Sequence, residues 1–113
     1  MRMAQEKLTM KKPDVEKAIG YYVKQKYSEL NVIGRNKPET IQRVLATIQD
    51  RDYIGSGKYN VLLDIYGTEA DENDGIKENI HYTSLCSVCI ASDPEGTPLP
   101  TFNESLILTK QSF

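Results

Sequence analysis

Two cysteines and one histidine are the residues of this sequence best suited to redox or metal chemistry. Cys86 and Cys89 have the spacing of a redox or zinc pair, and His81 precedes them. A redox pair belongs at the start of a helix, where the helix dipole lowers a thiol pKa, but this pair lies within an alternating strand pattern. Residues three apart on a strand point to opposite faces, so the two thiols are predicted to diverge. With no second pair and one histidine, the sequence predicts no redox or zinc site.

No other motif marks an active site or a cofactor site. Asp71, Asn73 and Gly75 superficially resemble part of a calcium loop, but the acidic segment 67–79 lacks the flanking helices of such a site. We interpret this segment as a solvated hairpin loop. His81 has no evident nucleophile partner, and no glycine-rich phosphate loop is present. We therefore expect a protein that is not an enzyme, needs no cofactor and presents a surface to another protein.

The composition is that of one soluble globular domain. The chain has 113 residues, of which 39% are hydrophobic and 27% charged, and its formal net charge is −2. This charge, with no basic stripe interleaved with aromatic residues, argues against nucleic-acid binding. No apolar run is long enough to span a membrane, and no segment after Met1 is typical of a secretory signal. A cytosolic protein and a secreted one whose signal was removed both remain open.

One amphipathic helix is predicted near the N-terminus. Pro13 and Asp14 suit a first helical turn, and apolar residues then recur at helical spacing to roughly residue 29. Gly20 lies inside this pattern at a cost of about 1 kcal/mol relative to alanine, which suggests that the helix crosses another element closely there. We interpret residues 1–12 as a flexible arm and residues 13–113 as a single domain.

Strands are predicted over much of the remaining chain. Residues 58–66 alternate after a glycine-containing turn, and residues 80–91 form a second long strand with Tyr82 and His81 on opposite faces. Residues 102–109 form a last strand, with Leu106 and Leu108 on its inner face. Between the last two, a turn at 93–96 leads into a proline-containing connection that is expected to be stiff and extended.

Residues 38–53 are open to two interpretations. Their apolar residues have helical spacing, Asn36 is a suitable N-cap, and the period alone favours a helix. However, Val44, Ala46 and Ile48 also alternate as one face of a strand. Such a strand would pair with residues 58–66 across the glycine turn.

The order of a helix, a strand, a glycine turn, a strand pair and a final strand resembles the cystatin fold. Residues 44–64 resemble the family's strand, glycine turn and following strand. Residues 85–97 are similar to the penultimate strand and second hairpin of secreted cystatins, and residues 103–109 to the last strand of the stefins. The resemblance implies an α+β fold in which one long N-terminal helix lies across a curved antiparallel sheet of about four strands. It also implies that residues 40–54 are strand, and we adopt this prediction.

Members of the cystatin family inhibit papain-like cysteine proteases with a wedge made of an N-terminal arm and two hairpin loops. The resemblance implies that the arm contributes Leu8 and Met10. The corresponding hairpin residues are Tyr53, Ile54, Gly55, Ser56 and Gly57 in the first loop and Pro94, Glu95 and Gly96 in the second. The sequence departs from the family pattern, because Arg51 and Tyr53 stand at the positions of a glutamine and a valine, and Glu95 at that of a tryptophan.

The resemblance therefore implies a cysteine protease as the partner, bound by a monomer or a dimer without a metal or other cofactor. Two alternatives remain: a non-inhibitory protein-binding module of the same fold, latexin-like or cathelicidin-like, and an unrelated small α+β ligand-binding domain. Asn103 begins a glycosylation triplet, which slightly favours secretion.

Overall fold

One helix and five strands make up the part of the chain that the structure, a computed structural model, describes. The described residues are 11–30, 32, 38–49, 58–70, 75–92, 98–102 and 105–111. Helix α1, Lys12–Lys26, is followed by a short 3₁₀ turn, Tyr27–Glu29, so the predicted helix is confirmed. The elements are α1 (Lys12–Lys26), β1 (Thr40–Ile48), β2 (Lys58–Ala70), β3 (Lys77–Ser92), β4 (Pro98–Phe102) and β5 (Thr109–Gln111).

The strands form one antiparallel sheet in the order β1-β2-β3-β4, and β5 also pairs with β3. The hairpin of β2 and β3 forms its centre and is paired continuously from Lys58 opposite Cys89 to Ala70 opposite Lys77. On the far side of β3, β4 pairs with the C-terminal part of that strand and β5 with its N-terminal part. The predicted α+β architecture is therefore confirmed.

The helix covers one face of this sheet. Val15, Ile19 and Val23, one or two turns apart on α1, are completely buried. They pack against every second residue of the strands, because alternate side chains of a strand point to the same face. On this covered face the strand residues of the core are Ala46, Ile48, Tyr59, Val61, Leu63, Ile65, Ile80, Tyr82, Val88 and Ile90.

The opposite face of the sheet, which we call the open face, is not covered by any described element. Its residues alternate with those of the core and are half-buried or exposed. The central part of the open face consists of Arg43, Leu45, Leu62, Asp64, Tyr66, His81, Thr83 and Leu85.

The helix crosses β1 most closely at Gly20. A Cβ atom at this position would lie 2.9 Å from the carbonyl oxygen of Val44, closer than non-bonded atoms can approach. Glycine therefore stands inside the helix, despite its low helix propensity, because the backbone of β1 leaves no room for a side chain. The predicted close crossing is confirmed.

The structure decides between the two interpretations of residues 38–53. Residues 40–48 form β1, so the strand implied by the resemblance is confirmed and the helix favoured by the period is wrong for them. The physical reason is pairing: β1 gains a ladder of hydrogen bonds to β2, and only alternate residues such as Ala46 and Ile48 are buried. Tertiary contacts of this kind override local spacing.

The predicted loop at 67–79 is too long. β2 continues to Ala70 and β3 begins at Lys77, with residues 71–74 between them outside the described residues. The polar side chains of these strand extensions suggested a loop, but their backbones pair in regular antiparallel register. A backbone ladder does not require apolar side chains, so composition alone could not locate these strand ends.

The end of the chain also differs from the prediction. Residues 98–102, predicted as a connection, form strand β4, and the predicted continuous strand at 102–109 is wrong. Leu106 instead makes an isolated parallel bridge to Val32, and regular pairing resumes only in β5. Leu106 and Leu108 are buried as predicted, so the apolar pattern indicated their burial but not the interruption of the strand.

Candidate functional site

The residues predicted to contact a protease all lie outside the described residues, as does Asn103. They are Leu8, Met10, Tyr53, Ile54, Gly55, Ser56, Gly57, Pro94, Glu95 and Gly96. What the structure provides is the position of the elements that flank them.

The segment with the first predicted loop connects β1 to β2 at one end of the sheet. β1 ends at Ile48, which lies opposite Val61. Gln49, the next residue, donates its N–H to the carbonyl oxygen of Asn60 at 2.8 Å. β2 begins at Lys58. We call this the Ile48 end of the sheet.

The segment with the second predicted loop connects β3 to β4 at the same end. Lys58 at the start of β2 lies opposite Cys89, near the C-terminal end of β3. β3 ends at Ser92, which lies opposite Pro98, the first residue of β4. Since neighbouring strands of this sheet are antiparallel, both connections join strands at the Ile48 end.

The start of the helix lies at this end too. Glu16, in the second turn of α1, accepts a hydrogen bond from the N–H of Ile48 through Oε2 at 2.8 Å. Two turns later, Lys24 donates a hydrogen bond to the carbonyl oxygen of Gln42, near the opposite end of β1. The N-terminus of α1 therefore lies at the Ile48 end of the sheet.

A groove of about 630 Å³ runs between α1 and β4 from this end of the molecule. Its walls include Tyr21 and Tyr22 on the helix and Leu99 on the strand, and Asp14 in the first helical turn also lines it. Tyr22 contacts the ring of Phe102, with the ring centroids 6.0 Å apart, while Tyr21 is largely exposed. The groove thus offers aromatic and aliphatic surface beside the strand ends.

The open face carries a cluster of rings and charges that links three strands. His81 Nε2 lies 2.8 Å from Oδ1 of Asp64, and its ring stacks on that of Tyr66 with centroids 4.5 Å apart. The guanidinium of Arg43 lies 4.4 Å from the centre of the Tyr66 ring on β2. Sequence reasoning missed this cluster because its members meet only through the register of β1, β2 and β3. The one signal was the alternation that placed His81 on the face opposite the core.

A second polar cluster lies near the other end of the sheet, on the covered side. The hydroxyl of Tyr82 donates to Oε2 of Glu69, and Lys110 Nζ lies 2.9 Å from Oε1 of the same carboxylate. These hydrogen bonds lower the pKa of Glu69. Burial and the bond to Glu69 raise the pKa of Tyr82, and the bond to Glu69 raises the pKa of Lys110. The cluster joins β2, β3 and β5, so it stabilises the sheet.

The two cysteines lie on opposite faces of β3, as predicted, and are not joined in a disulfide. Burial raises the pKa of the Cys86 thiol to about 11, which keeps it protonated and weakly reactive near neutral pH. Within the described ranges, no group of three His, Cys, Asp or Glu residues is placed to hold a metal ion. None of the helical segments in these ranges is long and apolar enough to cross a membrane.

Comparisons of the chain with protein-family models, curated proteins and solved structures find no match. The chain's own geometry gives one helix packed on an open antiparallel sheet of four to five strands in the described residues. This arrangement is compatible with a cystatin-like α+β fold.

Proposed function

We propose that this protein is a cystatin-like inhibitor of papain-family cysteine proteases. One observation carries the proposal: the start of α1 and the strand ends that flank segments 50–57 and 93–97 all lie at the Ile48 end of the sheet. The three parts of the predicted wedge are thus attached at one end of one rigid element. An inhibitor that enters a cleft with three separate segments requires this arrangement.

The sheet is well suited to hold such a wedge. The β2–β3 hairpin is paired over its whole length, and completely buried side chains such as Val61 and Val88 lie close to the Ile48 end. Loops supported on a rigid scaffold lose little conformational entropy on binding, so more of the contact energy appears as affinity. Backbone contacts of the inserted loops supply that energy with few special side chains.

The departures from the family pattern set the expected strength of inhibition. Glu95 stands where the family has a tryptophan, and a carboxylate at an apolar contact loses hydration without an apolar gain. Arg51 and Tyr53 also replace the family's residues beside Gly55. We therefore propose that this protein binds its protease more weakly than a member with the full pattern, and that Leu8, Met10 and Gly55 carry most of the contact.

Titration of papain with the protein, read out with a fluorogenic peptide substrate, tests this function. We expect competitive inhibition, which Gly55→Trp abolishes by steric conflict in the cleft. Ile76→Trp is the matched control, because Ile76 is exposed at the opposite end of the sheet and the same bulky ring is added there. Glu95→Trp should tighten inhibition by about tenfold, the value of roughly 1.4 kcal/mol of apolar contact.

Absence of inhibition by both the wild type and Glu95→Trp at high micromolar concentration would exclude the protease-inhibitor function. The non-inhibitory binding module would then be the better proposal. A ligand-binding domain has less support, because Val15, Ile19 and Val23 fill the space between helix and sheet with completely buried side chains. An apolar ligand would be left with the open groove between α1 and β4.

A further inference from the structure

The helix contacts the outer edge of β1, the side that does not face β2, at points spaced four residues apart on α1. Glu16 accepts the N–H of Ile48 through Oε2 at 2.8 Å, and Lys24 donates to the carbonyl oxygen of Gln42 at 3.1 Å. The close crossing at Gly20 lies between these two contacts. The helix is therefore bonded to β1 near both ends of the strand.

The Glu16 contact lies at the end of β1 that leads into segment 50–57. On the side of β2, Gln49 donates its N–H to the carbonyl oxygen of Asn60. Hydrogen-bonded positions alternate along an antiparallel strand, so the N–H of the preceding residue, Ile48, points away from β2, where the Glu16 carboxylate accepts it. This end of β1 is thus held from both sides, by β2 and by the helix.

Burial favours the Glu16 contact over that of Lys24. The bond from Ile48 to Glu16 is partly buried, whereas the bond from Lys24 is exposed. A carboxylate that accepts a backbone N–H makes a charge-assisted hydrogen bond, and such a bond is stronger where water is partly excluded. Ile48 is only 3% exposed, so loss of Glu16 would leave its N–H unpaired in a poorly hydrated position.

We propose that Glu16 is a positioning residue of the inhibitory wedge, an inference that rests on the proposed function. Through Ile48 it joins the helix, which the predicted arm directly precedes, to the strand end from which the first predicted loop leaves. One side chain thus holds the attachment points of two of the three wedge segments in a fixed relative position. Without it, the end of β1 frays, and binding to the protease must order it again.

Titration of papain with two variants of Glu16 tests the proposal. Glu16→Ala should raise the inhibition constant about tenfold, which corresponds to about 1.4 kcal/mol and is close to the entropic cost of ordering the backbone of one residue. Glu16→Gln keeps a side-chain oxygen that can accept the N–H of Ile48, so it should inhibit nearly as well as the wild type. Rescue by this uncharged side chain would exclude a simple effect of net charge on the approach of the protease.

Two controls separate positioning of the wedge from stability of the fold. Lys24→Ala removes the corresponding bond between α1 and β1 near the other end of the strand. Ile80→Val removes one buried methyl group at that same far end, where Ile80 lies opposite Gly67, and so lowers stability without a change at the Ile48 end. Urea denaturation measures the loss of stability in each variant, and both controls should keep the inhibition constant of the wild type.

Hydrogen exchange tests the structural part of the proposal without a protease. Ile48 loses its acceptor directly in Glu16→Ala, so the informative amide is that of Gln49, whose bond to Asn60 is lost only if the strand end frays. The Gln49 amide should exchange at least about tenfold faster in Glu16→Ala than in Ile80→Val. In Glu16→Gln it should exchange at the rate of the wild type.

The two measurements distinguish failure of this proposal from failure of the proposed function. Wild-type inhibition that Glu16→Ala leaves unchanged, or that Ile80→Val weakens equally, overturns the role of Glu16 while the inhibitor function stands. Unchanged exchange at Gln49 in Glu16→Ala also overturns it. Faster exchange there, with no inhibition by the wild type or Glu95→Trp, overturns the inhibitor function and leaves Glu16 holding only the strand end. If Glu16→Ala does not fold, Glu16→Asp replaces it, because its shorter side chain withdraws the carboxylate from the strand.

Discussion

The two faces of the sheet are built from neighbouring residues of the same strands, yet they differ in what they contribute. Leu63 on the covered face is completely buried, whereas Leu85 on the open face is 72% exposed. Both are leucines of the central hairpin, so the face alone accounts for the difference. We therefore expect stability to depend mainly on the covered face and the open face to tolerate substitution better.

The polar contacts of the two faces follow the same division. On the covered side, Glu69 has 21% of its side chain exposed, but its partner Tyr82 is completely buried. On the open face, Asp64 and His81 form their pair with 24% and 19% of their side chains exposed. A hydrogen bond to a charged group contributes more when water is excluded from one partner, because the local dielectric constant is lower.

The largest effect is expected for truncation of the core leucine. Leu63→Ala should lower the free energy of unfolding by about 2–5 kcal/mol, because it removes buried methyl groups and leaves a cavity in the core. Leu85→Ala, the same chemical change on the open face, should cost less than about 0.5 kcal/mol. Urea denaturation of both variants measures the difference, and similar losses would show that the open face is covered in solution.

Tyr82→Phe tests the polar cluster of the covered side and should lower the free energy of unfolding by about 1.5–3 kcal/mol, the range for a hydrogen bond to a charged group.

Tyr82→Phe should also change how the stability responds to acid. The bonds from Tyr82 and Lys110 hold the pKa of Glu69 below its ordinary value of 4.5, so their stabilisation is present above that pH and is lost as the pH falls below it. Urea denaturation between neutral pH and pH 3 should show a smaller acid loss in Tyr82→Phe than in the wild type. An equal acid loss would contradict this role of Glu69.

Tyr27→Phe should have the opposite effect and raise the free energy of unfolding. The Tyr27 hydroxyl is buried and has no hydrogen-bond partner in the described part of the chain, so its removal should stabilise the protein by about 1 kcal/mol. Burial raises the pKa of Tyr27 from 10.0 to about 12. The wild type should therefore lose stability as the pH rises from 10 toward 12, and the variant should lose less. Denaturation at pH 8 and pH 11 compares them, and a destabilised Tyr27→Phe would indicate that the hydroxyl has a partner.

Much of this architecture could be predicted from the sequence, because alternation and helical spacing report burial directly. The buried residues of α1, β2 and β3 and the close crossing at Gly20 were predicted in this way. The ends of β2 and β3 were not, because polar residues such as Thr68 and Asn79 pair through their backbones and leave no apolar signal. Local spacing was misleading for β1, whose conformation depends on its partner strand.

The site was less predictable than the fold. The ring cluster of Tyr66 and His81 and the edge contacts of Glu16 and Lys24 join residues that are far apart in the chain. Only the strand register and the position of the helix bring them together. The predicted wedge residues rest on a resemblance of short runs, and they remain a prediction that the protease titration must test.

The smallest loss of stability is expected on breaking the pair of Asp64 and His81 on the open face. Asp64→Ala should cost at most about 1 kcal/mol, because both partners are partly hydrated and the charge interaction is screened. Asp64→Asn should cost less than Asp64→Ala, since it keeps an oxygen that can accept a hydrogen bond from His81 while removing the charge. If charge contributes, the difference between wild type and Asp64→Asn should shrink at about 1 M salt, where the screening length is about 3 Å. A loss for Asp64→Ala as large as that for Tyr82→Phe would contradict the division between the faces, because a pair of two partly exposed side chains would then stabilise the sheet as much as a pair with one completely buried member.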